Sequence, residues 1–303
     1  MQLRLTPPPP YDFTHSTAAA RFLYAAARHM PDGTLRRLVR VGERLALLEC
    51  RDIGQIESPI IAARVLAAEG EIDPALLEEK ARAVINARVD LHAFYQAHDD
   101  PPLRQTTVRL RGLRALGADT LFEALALTMI EQQITLKMAQ TAERWLMSWA
   151  GGWLDYEGER YYTFPTPERL ANATVDDLAP MKITRVRMRR LIALAQQITT
   201  AGGSFEALRQ EDAETLYPRL RVIGGVGHWT AAWAMIRGIG HYAYLGNADV
   251  ALRAAVNHYY FGLPGRIDRD RMDAIFARYG EYGGLAAFYV LMRWAFERYS
   301  TSL

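Results

Sequence analysis

Cysteine is almost missing from this chain: Cys50 stands alone among 303 residues. A single thiol forms no intramolecular disulfide, and it supplies neither a Cys-rich zinc site nor a four-thiolate iron–sulfur cluster. Because it follows the strand-like run Leu45–Glu49, it reads as a buried, inert side chain. Lysine is nearly as scarce, with Lys80, Lys137 and Lys182 the only three among 36 basic residues. The resulting arginine bias suits bidentate phosphate contacts, although a GC-rich gene would produce it too. No uninterrupted apolar run of about 18 residues occurs, which argues against a transmembrane helix. The opening Met1–Leu5 runs into Pro7–Pro10 without a secretory signal's apolar stretch, so a cytoplasmic protein with no membrane partner is expected. The seven histidines show no metal-ligand spacing, and no metal on side chains or other cofactor is expected. Net charge is only +2, with 12 basic against 14 acidic groups in residues 1–100 and 24 against 20 thereafter. On charge alone a polyanionic partner gains little.

What the chain does have is a change of texture along its length. In the first 100 residues, two apolar-rich runs at 34–41 and 44–51 flank Gly42-Glu43 and read as a β-hairpin. Ala18–Met30 and Pro74–Ala87 read as helices. Asp99-Asp100-Pro101-Pro102 breaks the pattern and marks a boundary, giving an α+β domain over 1–98 and a helical body over 99–303. In that body Thr120-Leu121-Phe122-Glu123 is a capping box opening a helix to Glu131, and 137–149 is another helix. Thr166, Thr174 and Thr184 look like further helix starts. Helices at 213–222, 228–239, 249–260, 269–279 and 284–299 complete a mainly α fold with a small α+β N-terminal domain.

The most informative stretch is Leu220-Arg221-Val222-Ile223-Gly224-Gly225-Val226-Gly227-His228-Trp229-Thr230-Ala231. A helix ends, a tight Gly-x-Gly turn follows, and another helix begins at once, a helix-hairpin-helix over about 213–240. Glycine serves a turn that needs φ > 0 and a backbone that must approach something closely. The exposed N–H groups of such a turn and the next helix N-terminus form an anion seat. No strand precedes the glycines and no Gly-Lys-Ser/Thr follows, which excludes dinucleotide and P-loop readings. An ordinary helical turn remains the bland alternative. Twenty-two residues beyond Gly227 stands Asp249, either a plain N-cap or a carboxylate at the mouth of a cleft. The two roles are compatible, because a cap fixes the side chain and leaves one oxygen free.

Residues 220–253 resemble the helix-hairpin-helix GPD superfamily of DNA glycosylases, most of all the AlkA-type 3-methyladenine branch. Ile223 to Ala231 matches that family's apolar-x-Gly-Ile/Val-Gly-x-Trp-Thr-Ala pattern, and its catalytic aspartate falls on Asp249. Glu131-Gln132-Gln133-Ile134-Thr135 matches a motif on a middle helix. Tyr282-Gly283-Gly284-Leu285-Ala286 matches an aromatic-Arg/Gly-Gly-Leu-Ala motif. The chain departs from the pattern where Glu131 replaces a glycine and Gly246-Asn247 replaces Phe/Leu-Pro.

The resemblance implies a cleft between helical subdomains, and double-stranded DNA with damaged bases as the partner of a monomeric enzyme working at the nucleoid in a bacterium. It implies phosphate contacts from Gly225, Gly227, His228 and Thr230, and a monovalent cation on hairpin carbonyls near Val222, Gly224 and Gly227. Gln133 would insert into the vacated stack, and Trp229, Trp233 and Tyr282 would line the base pocket. Trp229, Trp233 and Ile236 also share one helix face, so a core role stays open for them. Electron-rich rings favour N3- or N7-alkylated purines, which carry positive charge. Asp249 would stabilise oxocarbenium-like charge on the sugar and orient or deprotonate the attacking water. Bifunctional relatives place a Schiff-base lysine where this chain has Trp229, so hydrolysis without strand cleavage is expected. Two alternatives stand beside this reading: an oxidised-purine glycosylase with AP-lyase activity, and a non-catalytic helix-hairpin-helix module that only binds DNA.

Overall fold

A computed structural model describes residues 1–97 and 100–299. The expected hairpin forms as β3 (Leu35–Val41) and β4 (Arg44–Asp52), turning through Gly42 at φ +59°. Opposite charges face each other across it, with Arg36 Nε 2.8 Å from Glu49. Three strands of this sheet escaped the sequence reading. They are β1 (Gln2–Leu5), β2 (Arg28–His29) and β5 (Ile61–Ala68), which complete an antiparallel sheet in the order β1-β5-β4-β3-β2. The alanine-rich β5 has helix-forming composition, and pairing with both β1 and β4 overrides it. Helix α1 spans Phe13–Leu23 instead of 18–30, because Asp12 caps its start and Arg28–His29 is claimed by β3.

The helical body begins with α2 (Pro74–Val84), α3 (His92–Gln96) and α4 (Pro101–Arg109), the last capped by Asp100. Residues 98 and 99, where the domain boundary was expected, lie outside the described residues. Next come α5 (Leu121–Glu131) and α6 (Leu136–Ala150), then an unforeseen hairpin of β6 (Trp153–Tyr156) and β7 (Glu159–Tyr162). After α7 (Pro167–Ala171), Thr174 caps only a turn with Asp177 (2.8 Å) and opens no α-helix. Then follow α8 (Arg185–Ala201), α9 (Ser204–Ala207), α10 (Ala213–Arg221), α11 (His228–Ile239), α12 (Val250–Phe261), α13 (Arg269–Phe276) and α14 (Gly283–Tyr299).

Most buried residues of sheet and helices belong to one cluster running from Leu5 to Phe296, and a small second cluster joins Leu38, Leu45 and Leu47 of the sheet to Tyr161 of β7. Helix α5 is buried from Leu121 to Ile130 and packs on α11. Arg37 of β3 reaches its base and makes a bidentate buried ion pair with Glu123 at 2.9 and 3.0 Å. Glu123 also accepts from the Asp119 N–H, so the capping-box carboxylate works for the sheet as well as for the helix. Among the described residues no helix is long and apolar enough to cross a membrane.

Candidate active site

The turn between α10 and α11 is anchored by two buried side chains, Ile223 and Val226, while Val222, Gly224 and Gly227 face solvent. Gly225 sits at φ +86°, and a Cβ there would lie 2.8 Å from Arg190 Cδ and 3.2 Å from Met129 Cε. Its dihedral favours glycine, and a Cβ there would also have to push the Arg190 and Met129 side chains aside. Beyond the turn, the first N–H groups of α11 have no intrahelical acceptor and point out of the helix end. The Gly227 carbonyl accepts from the Ala231 N–H at 3.0 Å, which leaves one of its lone pairs free. Arg190 and Arg221 flank the turn, both exposed and neither in an ion pair among the described residues.

Against this hairpin lies the α5–α6 turn. Gln132 Nε2 donates to Thr230 Oγ1 (2.8 Å) and to the Gly225 carbonyl (3.3 Å), stitching the two loops together. Arg187 of α8 donates to the carbonyls of Ile130 and Gln132 from below. On this braced turn Gln133 is held exposed at φ +56°, a left-handed conformation that costs a non-glycine residue on the order of 1 kcal/mol. Thr230, expected at the phosphate surface, is 2% exposed and occupied by Gln132. Glu131 stands where the family motif has glycine and forms a buried ion pair with Arg237 of α11 at 2.9 Å.

Asp249 caps α12. One carboxylate oxygen accepts from the Leu252 N–H at 2.9 Å, and the other accepts from Trp229 Nε1 at 3.2 Å. Trp229 is the second residue of α11, so the donor that aims the acid belongs to the helix that the hairpin starts. Asp249 is half-buried, and burial pushes its carboxyl above the ordinary value. The Leu252 and Trp229 hydrogen bonds and the Arg237 charge pull part of the way back. Three contacts pin the loop that carries it. His228 Nε2 lies 2.6 Å from the Leu245 carbonyl, Asn247 donates to Asp273 at 2.7 Å, and Gly246 rests on the Trp233 indole.

Trp233 is only 3% exposed, and a Cβ on Gly246 would fall 2.5 Å from its Nε1. The ring therefore fills the space below the loop and presents no open face. Gly246, odd in the sequence, is the partner its bulk requires. Tyr282 is half-buried, 6.0 Å from the Phe94 ring, just ahead of Gly284. A Cβ on Gly284 would meet the Tyr244 carbonyl at 2.5 Å, so α14 abuts the Asp249 loop only because that residue is glycine. His228 was expected to touch phosphate, yet both its ring nitrogens are engaged inside the protein, to Tyr217 and Leu245. Gln132, Arg187, Tyr217 and Asn247 escaped the sequence reading. Gln132 carried a signal, since it lies in the quoted motif beside Gln133. Among the described residues no group of three or more His, Cys, Asp or Glu could hold a metal ion.

A Gly-rich helical hairpin is thus followed by a capping aspartate that the hairpin's own helix orients. The chain belongs to the HhH-GPD superfamily of base excision DNA repair proteins, whose model matches residues 126–278. It is 33% identical over 149 residues to the DNA-3-methyladenine glycosylase of Bacillus subtilis strain 168, covering 49% of each chain. It thus spans about half the length of the curated relatives it matches. A 3-methyladenine DNA glycosylase from Archaeoglobus fulgidus shares the fold at TM-score 0.78 and 19% identity, over 99% of this chain and 100% of that one. The apo 8-oxoguanine glycosylase/lyase of Clostridium acetobutylicum follows at 0.73 and 17%, over 96% and 95%. Fold alone therefore does not separate alkylated from oxidised bases.

Proposed function

We propose that this protein is a monofunctional glycosylase that hydrolyses the N-glycosidic bond of alkylated bases, of the 3-methyladenine type, flipped out of duplex DNA. The observation that carries the reading is Asp249: a half-buried carboxylate, aimed by Trp229, on the loop packed against the hairpin. A pure DNA-binding module has no use for a desolvated acid at that place. The relatives named DNA-3-methyladenine glycosylase support the substrate class.

The nucleotide must leave the stack before its bond can be reached. Gly225, Gly227 and the α11 N-terminus would hold backbone phosphate, with Arg190 and Arg221 on either side. The exposed turn would offer the carbonyls of Val222, Gly224 and Gly227 to a monovalent cation, which would supply positive charge near the phosphate. Gln133, already pushed outward, would fill the gap left by the flipped base. The rings of Trp229 and Tyr282 would face that base, while Trp233 shapes the floor from beneath. As the bond breaks, positive charge grows on the sugar, and the Asp249 carboxylate stabilises it where low dielectric makes such a charge count most. An alkylated purine leaves readily, so no strong general acid is needed. At position 229 an indole stands where a lyase would need an amine, so water takes the sugar carbon and an abasic site remains.

The test is single-turnover excision from duplexes each carrying one modified base, followed by alkali cleavage. Asp249→Asn is expected to lose at least about 100-fold in rate while keeping duplex affinity. Retained excision in that variant removes Asp249 from the chemistry. Efficient borohydride trapping of a protein–DNA adduct on wild type would instead favour the lyase.

A further inference from the structure

We propose that His228 is a positioning residue that couples the DNA-gripping hairpin to the Asp249 loop, an inference that rests on Asp249 being the catalytic acid. The Leu245 carbonyl can only accept, so His228 Nε2 carries the proton in the 2.6 Å contact between them. In the neutral ring Nδ1 is then a lone pair, and it accepts from the Tyr217 hydroxyl at 2.5 Å. Tyr217 belongs to α10, His228 is the first residue of α11, and Leu245 lies four residues before Asp249. The imidazole therefore joins both helices of the hairpin to the loop that bears the acid.

The joint is stiffened at both ends. The Tyr217 ring stacks on Tyr244, the neighbour of Leu245, with centroids 3.8 Å apart and planes 13° from parallel. On the loop side the Leu245 carbonyl also accepts from the Asn247 N–H (2.9 Å), and the Asp249 N–H donates to the Gly246 carbonyl (3.0 Å). Displacing Leu245 shifts the peptide from which Asp249 hangs. The link to the Asp249 loop needs a donor at the ε position, and an acceptor at the δ position ties it to α10 as well. Histidine supplies them on a rigid plane, with few rotamers to freeze.

Two substitutions separate the roles. Gln keeps a nitrogen at the reach of Nε2 and so can still donate to Leu245, whereas Asn is too short to do so. His228→Asn is expected to lower the single-turnover excision rate on a duplex carrying one 7-methylguanine by roughly 10- to 100-fold, as a misplaced acid does. Its affinity for a duplex with a tetrahydrofuran abasic analogue should be unchanged, and His228→Gln should recover most of the rate. Amide hydrogen exchange of residues 244–250 should quicken in His228→Asn and return toward wild type in His228→Gln. Tyr217→Phe, which keeps the stacking, should show the same changes more weakly. Unaltered exchange in His228→Asn overturns the proposal. So does loss of affinity and of salt dependence with the saturated rate intact, since that is what a phosphate contact would give. If wild type excises no damaged base, the glycosylase reading fails instead, and the exchange comparison still decides the strut.

Discussion

The Trp229 indole N–H at 3.2 Å favours the ionised acid, while burial of the carboxyl works the other way. The two effects oppose each other, and burial wins: the carboxyl titrates above its ordinary value. If Asp249 acts as proposed, its ionised form is the one needed, and excision should fall as pH drops through that raised value. In Trp229→Phe the bulk stays and the donor goes, so the ionised form loses support. The acid limb of the single-turnover pH profile should move to higher pH, by up to about one unit. A limb that stays in place, or moves down, refutes the assignment of that hydrogen bond. That Asp249 is a cap and that Gly225 and Gly227 form a turn was legible in the sequence, because a cap and a turn are tied to local backbone. Thr230, Trp233 and His228 were not. Whether a side chain on α11 faces outward or inward depends on Gln132, Gly246 and Leu245, which arrive from far along the chain.

At the scale of elements, many helices announced themselves through a cap, although Thr174 caps only a turn and Asp100, read as a boundary, opens α4. Thr120, Thr166 and Thr184 each accept from the N–H three residues on, and Asp249 does the same. Strands β1 and β5 and the β6–β7 hairpin did not, since their stability comes from partners rather than from composition. Helix α8 turns Arg187 inward to brace the α5–α6 turn and leaves Arg190 exposed beside Gly225. If Arg190 on α8 and Arg221 on α10 grip phosphate, each alanine substitution should reduce the slope of log affinity against log salt by about one. The loss should be equal on damaged and undamaged duplexes. A slope that does not change would mean that these arginines are only solvated.

Across the whole molecule, charges buried between α1, α5, α6 and α11 give stability its pH dependence. Burial pushes the Glu143 carboxyl from an ordinary 4.5 up to about 8, against a hydrogen bond from the Ala25 N–H that lowers it. Between those values the unfolded chain has released this proton and the native protein holds it. Its contribution is therefore full below about 4.5 and is lost as pH rises toward 8, at about 1.4 kcal/mol per pH unit. Thermal melts of Glu143→Gln should decline less over that range than those of wild type, and parallel curves would show that Glu143 is ionised in the native state.

The ion pair between Arg37 on the sheet and Glu123 at the root of α5 has a consequence for anyone wishing to shorten this protein. Removing the first 70 residues would take away the guanidinium together with the sheet that covers Glu123, and would open the apolar side of α5 to water. Such a fragment should collect in inclusion bodies, whereas Arg37→Met in the full chain, which leaves the Glu123 carboxylate buried without its partner, should cost about 3–5 kcal/mol. The sheet is thus the counterweight on which the central helix rests, and a shorter chain would have to be redesigned at that helix before it could be trimmed.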